Sequence, residues 1–320
     1  MGKIHTTSTV GMSREEWLEI RRKSIGGSDA SAIVGLNRYA TPYSVWAEKK
    51  GLTPDKEETE PMRLGRDLEA YVAERFCEAT GFSVRRKNAI IYNDEHPYAH
   101  ANVDRVVVGD DVPALLECKT TSVLNMSRFK DTDFPIDYYA QCVHYLMVTG
   151  YKRIHLAVLV LGRGFFTYTL DRDEEEIKAL ADAERNFYEN YLLTGDAPPI
   201  DGLEPTTDAI SARYSAENEE EGVTLPLDAY DALLDEFEAL TASIDEMETR
   251  KAEITNQIKD YMQTSGRAES TKWRVSWSTQ TRTTLDKAKL KAALPDIDLS
   301  RFEKVSKARP FKVTKIAQNL

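Results

Sequence analysis

From Leu227 to Ser265 the chain runs without a glycine or a proline. Along it Leu227, Tyr230, Leu234, Phe237, Leu240, Ile244, Met247, Ile254, Ile258 and Tyr261 recur largely at three- and four-residue spacing, the pattern of an amphipathic helix, continuous or broken once. Unbroken, and at 1.5 Å rise per residue, such a helix reaches almost 60 Å, too long to lie on one small core. The chain therefore divides. Gly195-Asp-Ala-Pro198-Pro199 and the polar run through Glu219-Glu220-Glu221-Gly222 read as a boundary. The sequence predicts a domain over 1–197, a linker over 198–224, the long helix over 225–265 and a small α+β region over 266–320. In that last region Trp273–Trp277 alternates like a strand, Asp286 is placed to cap a helix to Leu294, and Phe311–Thr314 reads as a final strand.

Charge is divided in the same way. The 320 residues carry 42 basic and 53 acidic side chains, a net −11, which taken whole argues against a nucleic-acid partner. Residues 201–265 hold 17 acidic and 4 basic side chains, and residues 266–320 hold 5 acidic and 13 basic. The three parts are thus −6, −13 and +8, and the global excess says little about either end. Binding to a polyanion would have to come from focused basic patches and weaken as salt rises. The longest apolar stretch, Ile154 to Leu161, is interrupted by His155 and is far shorter than the roughly 20 residues of a membrane helix, so a soluble, cytoplasmic protein with no membrane partner is expected. Cys77, Cys118 and Cys142 stand far apart, which suggests neither a disulfide framework nor a cysteine zinc site. His96 and His100 are four apart, but Pro97 argues against the helix a zinc pair would use.

Within residues 1–197, Ser13-Arg-Glu-Glu16 is a capping box that opens a helix through Arg21. Further helices are expected from Ser28, over Pro42–Lys50 and over Leu64–Thr80, the last closed by Gly81. Phe82–Tyr92, Ala101–Val108 and Ala114–Thr120 read as strands, with Gly109-Asp110-Asp111 as the turn between the last two. A helix over Asp137–Thr149, strands over Arg153–Leu161 and Phe165–Leu170 and a helix over Asp173–Leu193 complete an α/β or α+β domain, a mixed sheet with helices on its faces.

The chemistry lies in His100-Ala-Asn-Val-Asp104-Arg and Leu115-Leu116-Glu117-Cys118-Lys119-Thr120. Residues two apart on a strand share a face, so Glu117 and Lys119 project together while Leu116 and Cys118 point the other way. Folding the hairpin brings Asp104 opposite or diagonal to Glu117. Two carboxylates and an ammonium then converge, the set that a Mg²⁺ phosphodiesterase needs. Glu48-Lys49-Lys50 and Glu176-Ile-Lys178 carry similar spacing on helices and read as solvated charge, and Arg85-Arg86-Lys87 is a candidate for phosphate contact.

Asp104 followed by Glu117-x-Lys119 on the next strand is similar to the PD-(D/E)XK nuclease core. The blocks around it resemble the phage lambda exonuclease and YqaJ-type viral recombinase family: Trp17-Leu-Glu-Ile-Arg21, Ile25-Gly-Gly-Ser-Asp-Ala-Ser31, Gly65-Arg-Asp-Leu-Glu69, Ala101-Asn-Val-Asp104, Glu117-Cys-Lys119-Thr and Tyr138-Tyr-Ala-Gln141. The resemblance spans about residues 13 to 195, and Val103 stands where the "PD" proline would be. It implies that Asp104, Glu117 and the Cys118 carbonyl ligate Mg²⁺ or Mn²⁺, that Lys119 is the catalytic lysine, that Glu69 is an accessory carboxylate and that Gln141 abuts the site. It implies further that Arg21 and Ser28 receive a terminal 5′-phosphate, a role suited to a guanidinium fork. The activity implied is a 5′–3′ exonuclease on linear double-stranded DNA with a free end, in phage-type recombination. A single-strand annealing recombinase as partner and a ring-shaped homotrimer are implied with it. A structure-specific or restriction-like endonuclease would use the same metal site, and a DNA-binding or scaffold protein acting through the helix and basic tail is the alternative of another class.

Overall fold

The computed structural model describes residues 2–55, 58–129, 133–215, 223–294, 311 and 313. The chain divides into two compact units between Tyr214 and Ser215.

The first unit opens with strand β1 (Ile4–Ser8) and helix α1 (Arg14–Arg22). The capping box forms as its residues dictate: the Ser13 hydroxyl accepts the Glu16 N–H at 3.2 Å, and the Glu16 carboxylate accepts the Ser13 N–H at 2.8 Å. Then come β2 (Ile25–Gly26), α2 (Gly27–Ile33), α3 (Pro42–Lys49) and α4 (Glu60–Thr80), which Gly81 ends in the left-handed conformation at φ 78°. The strands that follow are β3 (Ser83–Arg86), β4 (Ala89–Asn93), β5 (Ala99–Ala101), β6 (Arg105–Val108) and β7 (Ala114–Thr121). Helix α5 (Ile136–Thr149), β8 (Arg153–Val160), β9 (Gly164–Asp171), α6 (Glu174–Phe187) and α7 (Glu204–Arg213) complete the unit.

The strands form two sheets. One has the order β1-β4-β5-β2 and the other β3-β6-β7-β8-β9, antiparallel except for the parallel pairs β2–β5 and β7–β8. Helix α4 covers one face of the five-stranded sheet, with Val72, Ala73 and Phe76 against Val107, Ala114, Leu116 and Ala157. The larger core lies on the other face, where Val106, Leu115 and Ile154 meet Ala140, Val143 and Met147 of α5 and the apolar sides of α2, α3 and α6. Residues 114–117 are buried and residues 118–121 are not, so β7 emerges from the core at its C-terminal half. Strand β7 begins in a hydrophobic interior and ends in the site.

Several expectations are corrected. The single strand read over Phe82–Tyr92 is two, because the chain leaves one sheet at Arg86 and joins the other at Ala89. Likewise Ala101–Val108 divides at Asn102-Val103-Asp104, so Asp104 sits in the crossing just before β6 rather than within a strand. The run taken as linker over 198–224 holds α7, whose Thr206 hydroxyl meets that of Thr41 at 2.7 Å in the interior. The closing helix turns π-helical over Tyr188–Leu193.

In the second unit, α8 (Asp231–Met262) is unbroken over 32 residues, preceded by a 3₁₀ turn at Asp228–Tyr230. Strands β10 (Arg267–Glu269) and β11 (Arg274–Ser276) pair antiparallel, and Asp286 caps α9 (Lys287–Ala293) through the Lys289 N–H at 3.0 Å. The strand expected at 311–314 falls on a stretch where residues 312 and 314 lie outside the described residues.

Candidate active site

The β6–β7 register places Arg105 opposite Leu116, which sets Asp104, one residue earlier, at the level of Glu117. The Asp104 carboxylate accepts the Cys118 backbone N–H at 2.8 Å, fixing it against β7. Glu117 is only 3% exposed. One of its oxygens takes the Lys119 ammonium at 2.6 Å and the Gln141 amide at 2.8 Å. Its other oxygen is buried with no hydrogen-bond partner among the described residues. Burying an unpaired carboxylate oxygen is costly, which makes this the most informative atom of the site.

Burial, followed by the neighbouring Glu117 charge, pushes the Asp104 carboxyl well above its ordinary range. Burial also works against the Lys119 charge, but Glu117, with Tyr145 and Asp104 behind it, outweighs that and holds the ammonium above its usual value. Gln141 reaches the site from α5, and its amide also donates to the Tyr145 hydroxyl at 2.9 Å. The Tyr145 ring lies under Gly27, where a Cβ would stand 2.5 Å from the ring. A single aromatic ring thus separates the carboxylate cluster from the start of α2.

Glu69 approaches from the α4 face. There it pairs with Arg105, whose guanidinium also donates to the Asp104 carbonyl at 2.7 Å. Its charge contributes to raising Asp104, but among the described residues no three His, Cys, Asp or Glu side chains converge as a metal cluster. The donors that do converge are two carboxylates beside the Cys118 backbone. Hard oxygens with one orphaned carboxylate oxygen fit a divalent cation of the Mg²⁺ or Mn²⁺ type. A cleft of about 270 Å³ next to Asp104 is lined by Arg66, Arg86, Lys87 and Arg105 with Asn88 and Asn102, so the basic run at the end of β3 faces the same opening.

Arg21 and Ser28 also meet, the guanidinium donating to the Ser28 hydroxyl at 2.9 Å. They line a pocket of about 290 Å³ with Trp17, Asp29 and Lys49, and the Arg21 guanidinium stacks 4.4 Å over the Trp17 ring. Beneath lies a support that sequence reasoning missed. Lys49, read as solvated charge, has a side chain only 6% exposed that pairs with Asp29 at 2.6 Å and donates to the Arg21 carbonyl at 2.9 Å. Burial opposes the Asp29 charge, but Lys49 and then Arg21 outweigh it and hold the carboxyl below its ordinary value. The available signal was spacing: Lys49 follows Val45 by four and Trp46 by three, on the buried face of α3.

A family model described as the YqaJ-like viral recombinase domain matches residues 16–152, which hold every candidate residue named above. Over 304 residues the chain is 36% identical to the uncharacterized protein YqaJ of Bacillus subtilis (strain 168), covering 94% of this chain and 93% of that one. The chain belongs to the YqaJ family. Because this relative is matched over nearly its whole length, membership extends through α8 and beyond, past the part that the family model spans. Two crystal structures of the alkaline exonuclease LHK-Exo from Laribacter hongkongensis, one of them in complex with dAMP, align at 18% and 17% identity. Each covers 56% of this chain and 93% of that one, with TM-scores of 0.46 and 0.48. Among the described residues, no helix is long and apolar enough to cross a membrane.

Proposed function

We propose that this YqaJ family member is a metal-dependent deoxyribonuclease that degrades one strand of linear duplex DNA from a 5′ end, in the 5′–3′ direction, during phage-type recombination by strand annealing. The observation that carries this reading is the half-buried Asp104 beside the buried Glu117, with Lys119 on Glu117 and a Glu117 oxygen left unpartnered among the described residues. Asp104, Glu117 and the Cys118 carbonyl would hold Mg²⁺, or Mn²⁺, which when bound supplies Lewis-acid polarisation of the phosphate and a more acidic water. Gln141 locks the Glu117 rotamer, and Lys119, tethered by Glu117, presents its remaining donors to the attacking water or a phosphate oxygen. Glu69 acts at one remove, by holding Arg105 against the Asp104 carbonyl. Arg21 and Ser28 bind the 5′-terminal phosphate, with Lys49 and Asp29 keeping the pair in place. An annealing recombinase and a homo-oligomeric assembly are partners by family resemblance.

Digestion of a linear duplex labelled at either end, with 5′-phosphate or 5′-hydroxyl and with or without Mg²⁺, tests metal, polarity and end recognition together. The expected result is Mg²⁺-dependent release from the 5′-phosphorylated end and an intact closed-circular duplex. Cleavage of the circle would replace the exonuclease by an endonuclease on the same site, and full activity of Lys119→Ala would remove the mechanism.

A further inference from the structure

Of the 32 residues of α8, only Met262 is buried. Helices in proteins draw most of their stability from packing an amphipathic face, and this face is open among the described residues. Its pattern is stricter than amphipathy requires. Tyr230, Phe237, Ile244, Lys251 and Ile258 stand seven apart, and so do Leu233, Leu240, Met247, Ile254 and Tyr261. The nine apolar members are 38% to 83% exposed.

The positions beside this seam are mostly polar: Glu236, Ser243, Arg250 and Gln257 on one side, Thr241, Glu248 and Thr255 on the other, with Leu234 and Met262 apolar. A helix lying on a globular core needs a wider apolar face, whereas a narrow seam with a seven-residue repeat is the geometry of a coiled coil. Over more than four repeats a straight helix would carry such a seam around its axis by about 20° per repeat, so only a supercoiled partner stays in register with it.

Charge selects the partner and its direction. Residues 231–249 hold seven acidic and no basic side chains, whereas residues 250–262 hold Arg250, Lys251 and Lys259 against Glu253 and Asp260. A parallel pair of identical helices would set the acidic halves side by side and Lys251 against Lys251. Reversing one helix removes both conflicts.

We propose that α8 pairs with α8 of a second copy of this chain as an antiparallel two-stranded coiled coil. In full overlap Ile244 lies level with the partner's Met247, Phe237 with the partner's Ile254 and Leu233 with the partner's Ile258. Lys251 comes level with the partner's Leu240, beside the partner's Glu236. Every seam position finds a counterpart, as a twofold interface requires. The competing cover is the chain's own C-terminal segment, since residues 301–320 hold six basic and one acidic side chain and the Phe311 ring meets Phe237 at 6.3 Å. That contact reaches one seam position, while the repeat runs the length of the helix.

Light scattering on the full-length chain and on Ile244→Asp, with separate Leu233→Cys and Ile258→Cys chains mixed under oxidising conditions, tests this. The wild type should have a mass of twice 36.2 kDa or a multiple of it, and Ile244→Asp should halve that mass. A disulfide should form between the two cysteine variants on mixing, above the background of the wild type, and in neither variant alone. The proposal is overturned by a single-chain mass for the wild type, which would assign the seam to the C-terminal segment, or by a mass that Ile244→Asp leaves unchanged. Self-linking of Leu233→Cys would overturn the direction, and the cysteine arms decide the question even where the aspartate unfolds α8.

Discussion

One methyl group at Gly27 reaches the candidate site through a single ring. A Cβ there stands 2.5, 2.8 and 3.1 Å from three carbons of Tyr145, a side chain only 6% exposed. Carbon atoms settle at about 3.5 Å or more, so in Gly27→Ala the ring must retreat by roughly 1 Å. Overpacking of this kind costs about 1–3 kcal/mol. For a unit of the size of Met1–Tyr214, at about 2–4 °C per kcal/mol, the melting temperature should fall by about 2–12 °C. The same retreat breaks the 2.9 Å bond between the Tyr145 hydroxyl and Gln141, and with it the support of Glu117. A misplacement of about 1 Å can cost on the order of 100-fold in rate. Thermal melts and release from a 5′-phosphorylated duplex read the two effects separately. Tyr145→Leu in the Gly27→Ala background should restore stability, because it makes room, but not activity, because it lacks the hydroxyl. The reasoning fails if Gly27→Ala changes neither quantity, or if Tyr145→Leu alone cleaves DNA as fast as the wild type.

Mg²⁺ at about 100 times its dissociation constant should stabilise the wild type by about 2.7 kcal/mol and leave Asp104→Asn unmoved, as followed by melting in a Mg²⁺ titration. Lys49→Met strands Asp29 in the interior and should cost about 3–5 kcal/mol in denaturant unfolding, with weakened binding of a 5′-phosphorylated oligonucleotide. Alkali should weaken the fold through His144. Its Nε2–H is fixed by the His100 carbonyl at 2.9 Å, so its 2.7 Å contact with Glu184 must hold a proton on one atom or the other. Burial opposes the His144 charge, but Glu184 and the hydrogen bonds outweigh it and raise it above 6.5, while burial raises Glu184 above 4.5. This contribution is therefore full below about pH 6.5 and is lost as pH rises through the higher folded value, a loss that the double variant His144→Phe/Glu184→Leu, which removes both titrating groups, should abolish in pH-dependent melts.

Local signals carried much of this in the sequence. Ser13 with Glu16, Gly81 and the Gly109 turn each announce a helix start, a helix end or a hairpin, because the cause lies within a few residues. The spacing of Glu117 and Lys119 and the turn before them likewise bring Asp104 level with Glu117. What stayed hidden depends on partners far along the chain. Nothing local in Phe82–Tyr92 or Ala101–Val108 says that each run is shared between two sheets, and β1 exists only because β4 offers it an edge. Helix α7 is mostly polar and is held through partners distant in the chain, Thr206 against Thr41 and Ala209 in the larger core. Lys49 looked solvated because its counterion, Asp29, lies 20 residues earlier.

The crossing at Asn102-Val103-Asp104 has a thermodynamic consequence. On one side of it β5 pairs with β2, which leads directly into Gly27 and Ser28, and on the other β6 pairs with β7, which carries Glu117. A ligand that ties Asp104 to Glu117 therefore also restrains the strand beside the Arg21–Ser28 pocket. Under the proposed reading, whatever factor a bound 5′-phosphate imposes on cation affinity, the cation must impose on phosphate affinity. A DNA end would then be sensed twice, once as a ligand and once as a change in how tightly the metal is held.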